Sequence, residues 1–480
     1  MDYINLVQKP LKIDTRKKIN FPLNTRVPSS FRDPSGFVFK KDNRILRQIN
    51  NSYKRQYDRL QDGLYQDLLS SSLIIPHQET HDIELPENAY KIIEPEIIPF
   101  VSYPYEWSFS QLQDAATTTL EIQKKALQHG MTLKDASAYN IQFLNGKPIF
   151  IDSLSFDIYK EGAPWIAYKQ FCEHFLAPLS LMAYTDVSLG QLSRIHIDGI
   201  PLKLAHSLLP RKTMIKPSLL MHIHMHGKLQ DKSSRSGEGT EATSKTISLT
   251  GLRGLIDSLH SSIRKLKWAP QNTEWAEYEN DDSYNPGSLA HKKELVSKYL
   301  HQSNPAQVWD LGGNTGVFSR LASESGAFTV SFDKDPAAIE KNYLTTKTQQ
   351  EKNILPLIMD LSNPSSMIGW ANQERLDLSN RASADMIFAL ALVHHLAISQ
   401  NVPLSMIADY LSTLCEWLII EFIPKEDKKV DILLSTREDI FPNYNIVEFE
   451  SQFANKFDIL SKDPIKDSLR TMFLMRKKHL

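Results

Sequence analysis

The residues with the clearest chemical pattern lie between positions 308 and 333. Asp310 sits in a short apolar strand, and the loop after it contains Gly312, Gly313, Asn314, Thr315 and Gly316. A helix and a second apolar strand follow, and this strand ends at Asp333. Glycines let a backbone approach a ligand closely, and a carboxylate at the end of the next strand can accept hydrogen bonds from ribose hydroxyls. The pattern predicts a nucleotide-like ligand site in a doubly wound sheet.

The loop lacks the spacing of two common phosphate-binding patterns, G-x-G-x-x-G and GK[ST]. It resembles instead the acid-x-G-x-G-x-G loop of class I S-adenosylmethionine-dependent methyltransferases. Asp310, Gly312 and Gly316 match this loop, and Asn314 stands where the middle glycine usually is. Asp333 is similar to the ribose-binding acid of the family.

A third strand, ILPLIM, ends at Asp360, which resembles the acid that the family places beside the adenine amine. The resemblance implies S-adenosyl-L-methionine as cofactor. It also implies the residues that bind this cofactor, which are Asp310, Gly312, Gly313, Asn314, Gly316, Asp333, Asp360 and Leu361.

The elements that must position these residues follow in the order typical of the family. We predict a helix over 288–300, a fourth strand over 386–393, a fifth over 417–422, and a closing antiparallel pair in FDILSKDPIKDSLRTMFLMRKK. The predicted fold class of this C-terminal part is therefore α/β, a seven-stranded doubly wound sheet.

In this family, residues that contact the methyl acceptor follow the fourth strand. His394 and His395 are placed at its carboxyl end, where one of them could act as a general base for a hydroxyl acceptor. The alternative is that one packs in the core and the other caps the strand end. The family's N-P-P-[YF] element for base and amide nitrogens is absent, which argues against those acceptors. Glu421 and Lys425 are expected at the same edge.

A second chemical pattern lies upstream, in Asp135, Asn140 and Asp152. An Asp, an Asn five residues later and an Asp after a short hairpin with an Asn-Gly turn resemble the catalytic loop and metal-binding acid of protein-kinase-like folds. The resemblance implies that Asp135 is a base and that Asn140 and Asp152 hold magnesium.

The rest of the N-terminal region agrees with that resemblance in outline. It contains a predicted strand hairpin (37–39 and 45–49), two strands within 91–107, and a helix over 110–129. It lacks a Gly-rich loop and a V-A-x-K lysine. The prediction is an α+β, kinase-like module that binds substrate or partner. Mg-ATP chemistry, and a hairpin whose acids only cap turns, are the alternatives.

The N-terminal region also resembles the N-terminal half of bacterial two-part methyltransferases of the nodulation type. The matching strings are SYPYEWSFSQLQDA, LKDASAYNIQF, FIDSLSFD and AYKQFCEHFLAPL. This resemblance implies one architecture for the whole chain and suggests saccharide acceptors.

The predicted domain organisation rests on changes in composition along the chain. The polar stretch near residue 240 is too poor in large apolar residues to form a core, and an amphipathic helix follows it over 252–266. The predicted parts are an arm (1–34), a kinase-like domain (35–228), a linker with the helix (229–269) and a methyltransferase domain (270–480).

Charge and composition exclude several functions. Lys plus Arg is 55 and Asp plus Glu is 56, which gives a net charge of −1. The chain therefore has no overall positive field that would drive nonspecific binding of nucleic acid. The two cysteines make a disulfide scaffold untenable, and no apolar run could cross a bilayer. A cytoplasmic location follows as the expectation.

Three alternating histidines form another candidate site. On a strand, His222, His224 and His226 would share one face and could bind a metal. At a helix end they would instead point apart.

We therefore predict a methyltransferase that acts on a saccharide or small-molecule hydroxyl, with a protein substrate left open. The alternatives are a bifunctional kinase and methyltransferase, and a noncatalytic cofactor-binding protein.

Overall fold

The computed structural model describes residues 24–226, 246–270, 286–435 and 438–479. The chain divides into two compact units. The first is Met1–Lys54 with His77–Ile97, and the second is Arg55–Pro76 with Ile98–Leu480. The predicted arm up to residue 23 and the linker from 229 to 245 lie outside the described residues. The domain boundaries given by the sequence remain predictions.

The first unit contains a five-stranded antiparallel sheet in the order β1-β2-β3-β5-β4. Its strands are β1 (Asn24–Arg26), β2 (Gly36–Lys41), β3 (Arg44–Asn50), β4 (His77–Glu79) and β5 (Ala89–Pro95). The predicted hairpin is present as β2 and β3. The prediction of two strands within 91–107 was wrong. Only β5 forms there, since Pro95, Pro99 and Pro104 lack the N–H groups that a strand ladder needs.

The second unit begins with helices and two small β pairs. The α-helices between residues 54 and 265 are Lys54–Arg59, Tyr65–Ser70, Phe109–Gln128, Tyr168–Phe171, Ala177–Tyr184, Leu192–Ile195, Leu202–Leu208, Pro217–Leu219 and Leu249–Lys265. The pairs join β6 (Met131–Leu133) to β9 (Phe156–Ile158), and β7 (Ile141–Leu144) to β8 (Lys147–Phe150).

Two local predictions for this region are confirmed. The turn between β7 and β8 has positive φ at both Asn145 and Gly146, 53° and 73°, as a two-residue hairpin turn requires. The long helix begins after Ser108, whose side chain accepts a hydrogen bond from the Gln111 N–H, and it ends before Gly130.

A seven-stranded sheet forms the C-terminal part of the second unit. Its strands are β10 (Gln307–Leu311), β11 (Phe328–Asp333), β12 (Ile354–Ile358), β13 (Ala384–Ala389), β14 (Cys415–Phe422), β15 (Phe457–Pro464) and β16 (Thr471–Lys477). The strand order is β12-β11-β10-β13-β14-β16-β15. The neighbours from β12 to β14 are parallel, and β16 is antiparallel to both β14 and β15.

The helices of this part are Pro286–Ser303, Val317–Glu324, Pro336–Gln349, Leu378–Arg381, Leu404–Leu414, Lys428–Ser435 and Ile446–Ala454. Strands such as β10 are buried almost throughout, which explains their near-continuous apolar sequence. The fold confirms the predicted doubly wound sheet and its closing antiparallel pair.

The apolar core of the second unit is continuous across the predicted domain boundary. The long helix Phe109–Gln128 contributes to the same core as β10, β11 and β12. Polar contacts reinforce this packing: Gln111 Nε2 donates to the Pro356 carbonyl (2.9 Å), and Tyr343 donates to Asp114 (2.8 Å). Within the described residues, no helix has the length and apolarity needed to cross a membrane.

Candidate functional site

The carboxyl ends of the parallel strands border one cavity of about 320 Å³. Its lining includes predicted residues from four successive strand ends, namely Asp310, Gly312, Gly313, Asn314, Asp333, Asp360, Leu361 and His395. Such an edge is where doubly wound sheets bind their ligands. The structure thus brings together most of the cofactor residues that the sequence predicts.

The glycine loop is shaped by close backbone packing. Gly312 has φ of +79°, and a Cβ at Gly313 would collide with the Ser331 hydroxyl. Asn314 takes a positive φ of 48°, and its N–H donates to Asp333 Oδ2 (2.9 Å). Gly316 lies outside the cavity lining and starts the helix Val317–Glu324 with φ of +88°. We conclude that its role in the loop is conformational.

Of the two acids next to this loop, Asp310 is buried and Asp333 is half-buried. Asp310 accepts a hydrogen bond from Ser319 Oγ (2.6 Å), and burial raises the pKa of its carboxyl to about 6. Asp333 accepts from the N–H groups of Asn314 and Asp335, both at 2.9 Å, and burial raises its pKa. A buried carboxylate at a cavity wall offers strong hydrogen bonds to hydroxyl or ammonium groups.

The third acid, Asp360, is exposed at the other end of the cavity. Its Oδ1 accepts from the N–H (2.8 Å) and the hydroxyl (2.6 Å) of Ser362, which fixes the carboxylate at the start of the loop. Leu361 and Met359 supply apolar surface beside it.

The fourth strand is shorter than predicted. The predicted end at Val393 was wrong, because β13 stops at Ala389 and Ala391 takes a left-handed φ of 50°. The Ala391 N–H donates to the buried Glu421 carboxylate (2.8 Å), which holds the turn. His394 and His395 therefore lie at the start of a helical segment and not on a strand.

The two histidines differ in their access to the cavity. His395 lines the cavity, whereas His394 is buried outside the lining, with the ring centroids 4.1 Å apart. Burial lowers the pKa of His395 to about 4, with Lys334 and Lys429 acting in the same direction. Burial also lowers the pKa of His394. Both imidazoles are therefore neutral at pH 7.

One cavity residue has no signal in the sequence. Lys292 lies on the helix Pro286–Ser303, lines the cavity and pairs with Glu421 at 2.7 Å. Glu421 was expected at this edge. Lys425, also expected there, pairs with Asp439 and is absent from the cavity lining.

The upstream residues Asp135, Asn140 and Asp152 are also brought together. The Asn140 amide donates to Ser155 Oγ (3.2 Å), and this hydroxyl donates to Asp152 Oδ2 (2.8 Å). Asp135 interacts with Asn140 and Asp152, and burial raises its pKa. Asp135 also accepts from the N–H of Ser137, two residues on. Such local contacts are typical of turn-capping acids.

Among the three alternating histidines, His222 and His226 share the Tyr168 hydroxyl as a partner, whereas His224 contacts His206. They lie on a helical segment, where alternating residues point apart. His222 Nδ1 is 2.8 Å from the Tyr168 hydroxyl, and His224 is 2.7 Å from His206. Within the described parts of the chain, no cluster of three or more His, Cys, Asp or Glu residues could hold a metal ion.

The strand order, the glycine loop and the acids at successive strand ends define a class I S-adenosylmethionine-dependent methyltransferase. The residues fit this cofactor, because the glycine backbone leaves room for a ligand and the carboxylates of Asp310, Asp333 and Asp360 line the same cavity.

The chain belongs to the family of the nodulation protein NoeA. It is 35% identical to NoeA of Rhizobium meliloti (strain 1021) over 466 residues, which cover 95% of this chain and 97% of the relative. The similarity therefore includes both the N-terminal region and the methyltransferase region of the chain. No protein-family model matches the sequence.

Three solved structures are similar over part of the chain. The magnesium protoporphyrin IX methyltransferase of Synechocystis PCC 6803 has 14% identity and a TM-score of 0.31, and covers 42% of this chain and 93% of its own. The N-methyltransferase NodS of Bradyrhizobium japonicum WM9 has 9% identity and a TM-score of 0.31, over 41% and 99%. WbdD has 16% identity and a TM-score of 0.31, over 42% of each. The fold assignment rests on the strand order and not on these likenesses.

Proposed function

We propose that this protein transfers a methyl group from S-adenosylmethionine to a hydroxyl of a saccharide or small molecule. The observation that carries the proposal is the single cavity in which Asp310, Asp333 and Asp360 lie along one sheet edge with a neutral His395. When bound, the cofactor supplies a methyl group activated by its sulfonium.

Two of these acids have roles in holding the cofactor. Asp333 accepts hydrogen bonds from the ribose hydroxyls, because its carboxylate is fixed by two backbone N–H groups. Asp360 and Leu361 bind the adenine end, with a carboxylate and an apolar surface. Gly312 and Gly313 let the backbone approach the ligand, and Asn314 keeps the loop closed on Asp333.

His395 is the proposed base for the acceptor hydroxyl. It is the histidine of the pair that lines the cavity, and its lowered pKa keeps the ring neutral at pH 7, with a nitrogen lone pair that can accept the hydroxyl proton. His394 packs behind it and acts as a support. An acceptor held between His395 and the methyl group gains mainly from proximity and orientation.

The test is a methyl-transfer screen with the full-length protein. S-adenosylmethionine labelled with tritium on its methyl group is incubated with cell extract separated into protein, nucleic-acid, glycan and small-molecule fractions. We expect label in the glycan or small-molecule fraction. Label confined to protein or nucleic acid would contradict the proposed acceptor. Cofactor binding without any transfer would favour the noncatalytic alternative.

Replacing His395 with glutamine is expected to lower turnover in this assay by about 10²- to 10⁴-fold, because general-base catalysis supplies that factor. The wild-type rate should stay level from about pH 6 to 8 and fall to about half near pH 4, where half of the imidazole is charged. His479→Gln is the matched control, since this histidine is exposed at the surface. Unchanged turnover in His395→Gln would contradict the base role.

For the N-terminal region we propose a kinase-like accessory domain that binds substrate or partner. Support comes from the antiparallel sheet of β1 to β5, the long helix Phe109–Gln128 and the convergence of Asp135, Asn140 and Asp152. The oxygens of Asp152 accept from the Leu154 N–H and the Ser155 hydroxyl. Because these hydrogen bonds already occupy both oxygens of Asp152, they favour a structural role for its carboxylate over magnesium binding.

Phosphoryl transfer is the second candidate, because Asp135, Asn140 and Asp152 meet in one place. We expect no heat when the full-length protein is titrated with ATP at about millimolar concentration in excess Mg²⁺, since the sequence lacks the Gly-rich loop and the lysine that hold phosphates. Asp152→Asn is the comparison variant. Binding by the wild-type chain that this variant loses would support a bifunctional enzyme instead.

A further inference from the structure

An exposed tryptophan lies in the connection between β12 and β13. Trp370 is 74% exposed, and no other large apolar side chain is exposed from residue 345 to 405, all of which the structure describes. Two backbone hydrogen bonds between Ile368 and Arg375 (3.1 and 3.0 Å) close the tip that contains it, here called the Trp370 loop (368–375). Single exposed apolar residues are common in proteins. The backbone that presents this one is unusual.

The tip of the Trp370 loop has an unfavourable backbone conformation. Gly369, Ala371 and Asn372 have positive φ of 85°, 53° and 55°. Alanine rarely adopts this left-handed conformation, because its Cβ crowds the carbonyl oxygen. The N–H of Trp370 donates to Glu374 Oε2 (3.1 Å), a side chain that is buried. Strained backbone persists only where its surroundings hold it, and it is concentrated at functional segments.

The base of the Trp370 loop is anchored to other parts of the second unit. The guanidinium of Arg375 stacks on the ring of Tyr139, 4.1 Å from its centroid. The N–H of Leu376 donates to the Tyr103 hydroxyl (2.8 Å). The indole is therefore presented on a fixed support, so that a ligand stacking on it would order little of the chain.

The groups around the indole indicate the class of ligand. Asn372 and Gln373 are exposed amides beside it, and residues 369–373 carry no charge. An aromatic face attracts the C–H groups on the less polar side of a sugar ring, and amides both donate to and accept from hydroxyls. This combination suits a neutral saccharide.

Two other classes of partner fit the Trp370 loop less well. A tryptophan side chain offers at most about 250 Å², whereas a stable protein interface buries about 800 Å² on each partner. Single-stranded nucleic acid also stacks on aromatic rings, but its backbone requires cations. The nearest cation in sequence, Arg375, is stacked on Tyr139.

The same connection between β12 and β13 begins at the methyl-transfer cavity. Asp360, Leu361 and Ser362 line that cavity. Trp370 follows Ser362 by eight residues, which span at most about 29 Å when fully extended. A saccharide of several rings could therefore contact the indole and still reach the cavity.

We propose that Trp370, with the amides of Asn372 and Gln373, binds a saccharide chain whose other end enters the methyl-transfer cavity. This inference rests on the proposed function, since it takes the acceptor to be a saccharide and adds a second binding site for it.

The test is titration calorimetry on the full-length protein with neutral hexasaccharides of glucose, mannose and N-acetylglucosamine. We expect the wild type to bind at least one of them. Trp370→Ala should weaken that hexasaccharide about 10-fold, because it removes the stacking surface, and Trp370→Phe should stay within about threefold of the wild type. Wild-type protein that binds none of the three, or equal binding by Trp370→Ala, would overturn the inference.

Controls separate stacking from a general effect on the fold. Val447→Ala, at a residue that is 75% exposed on another helix, should bind the hexasaccharide like the wild type. S-adenosylhomocysteine should bind Trp370→Ala with unchanged affinity. A ten-residue oligothymidylate is the nucleic-acid probe, and tighter binding of this probe through Trp370 would contradict the saccharide assignment.

The methyl-transfer screen distinguishes this inference from the proposed function. Label in the small-molecule fraction, from a protein that binds no hexasaccharide, would overturn the inference and leave the proposed function standing. Absence of label from every fraction would contradict the proposed function, and with it the acceptor role of any saccharide bound at Trp370.

Discussion

Asp333→Ala is expected to abolish cofactor binding. The Asp333 carboxylate accepts from the Asn314 and Asp335 N–H groups, so its removal takes away the proposed ribose contact and also releases the glycine loop. Two hydrogen bonds to a charged group amount to about 3–6 kcal/mol. The affinity for S-adenosylhomocysteine should therefore fall at least about 100-fold in calorimetry on the full-length chain.

The matched control for this variant is Asp458→Asn, an exposed acid on the edge strand β15 of the same sheet. It should bind the ligand like the wild type. Circular dichroism shows whether Asp333→Ala remains folded, and Asp333→Asn, which keeps one acceptor oxygen, should fall between the two. Wild-type affinity in Asp333→Ala would contradict the proposed ribose contact.

The second large effect is expected in stability, at the buried ion pair of Glu106 and Arg381. Both side chains are 1% exposed, and two N–H groups of Arg381 donate to Glu106 at 2.7 and 2.6 Å. The guanidinium also stacks on Tyr103 at 4.5 Å. Arg381→Met leaves a buried carboxylate without its cation, which typically costs about 3–5 kcal/mol of unfolding free energy.

Urea unfolding followed by circular dichroism measures this loss. Arg476→Met is the control, because its pair with Glu416 is half-exposed and should contribute less than about 1 kcal/mol. The double variant Arg381→Met/Glu106→Gln should recover part of the stability, since no buried charge is left alone. A loss below about 1 kcal/mol for Arg381→Met would show that the pair adds little to the fold.

The same ion pair explains why the domain boundaries are hard to derive from sequence. Glu106 precedes the long helix Phe109–Gln128, while Arg381 precedes β13, and 275 residues separate them along the chain. The polar stretch near residue 240 predicts a seam, yet the core of the second unit runs across it. Composition predicts only that a polar segment forms no core of its own. Which residues form one compact unit depends on the packing of segments that are distant in sequence.

For the cofactor site, the sequence was informative because its signals are local. The loop from Asp310 to Gly316 and the acids Asp333 and Asp360 each stand at the end of an apolar strand, so strand order alone predicts that they meet at one edge. The seven-stranded sheet and its closing pair were predictable for the same reason, since each strand is a short apolar run bounded by turn residues.

The acceptor side was less predictable, because its geometry depends on contacts between distant residues. Ala391 ends β13 early in a left-handed turn held by Glu421, 30 residues away. This turn moves His394 off the strand and leaves His395 at the cavity. Lys292 could not be recognised at all, since its partner Glu421 lies 129 residues further along the chain.

The sequence by itself thus determined the class of fold and the acids that line the cavity, because a glycine loop and the ends of strands can be recognised in short stretches of chain. Only the tertiary structure decided which histidine reaches the cavity, that Lys292 lines it and where one compact unit ends. Those features arise from buried charges and backbone turns that are stabilised by residues far away in sequence. A local sequence pattern therefore does not predict them.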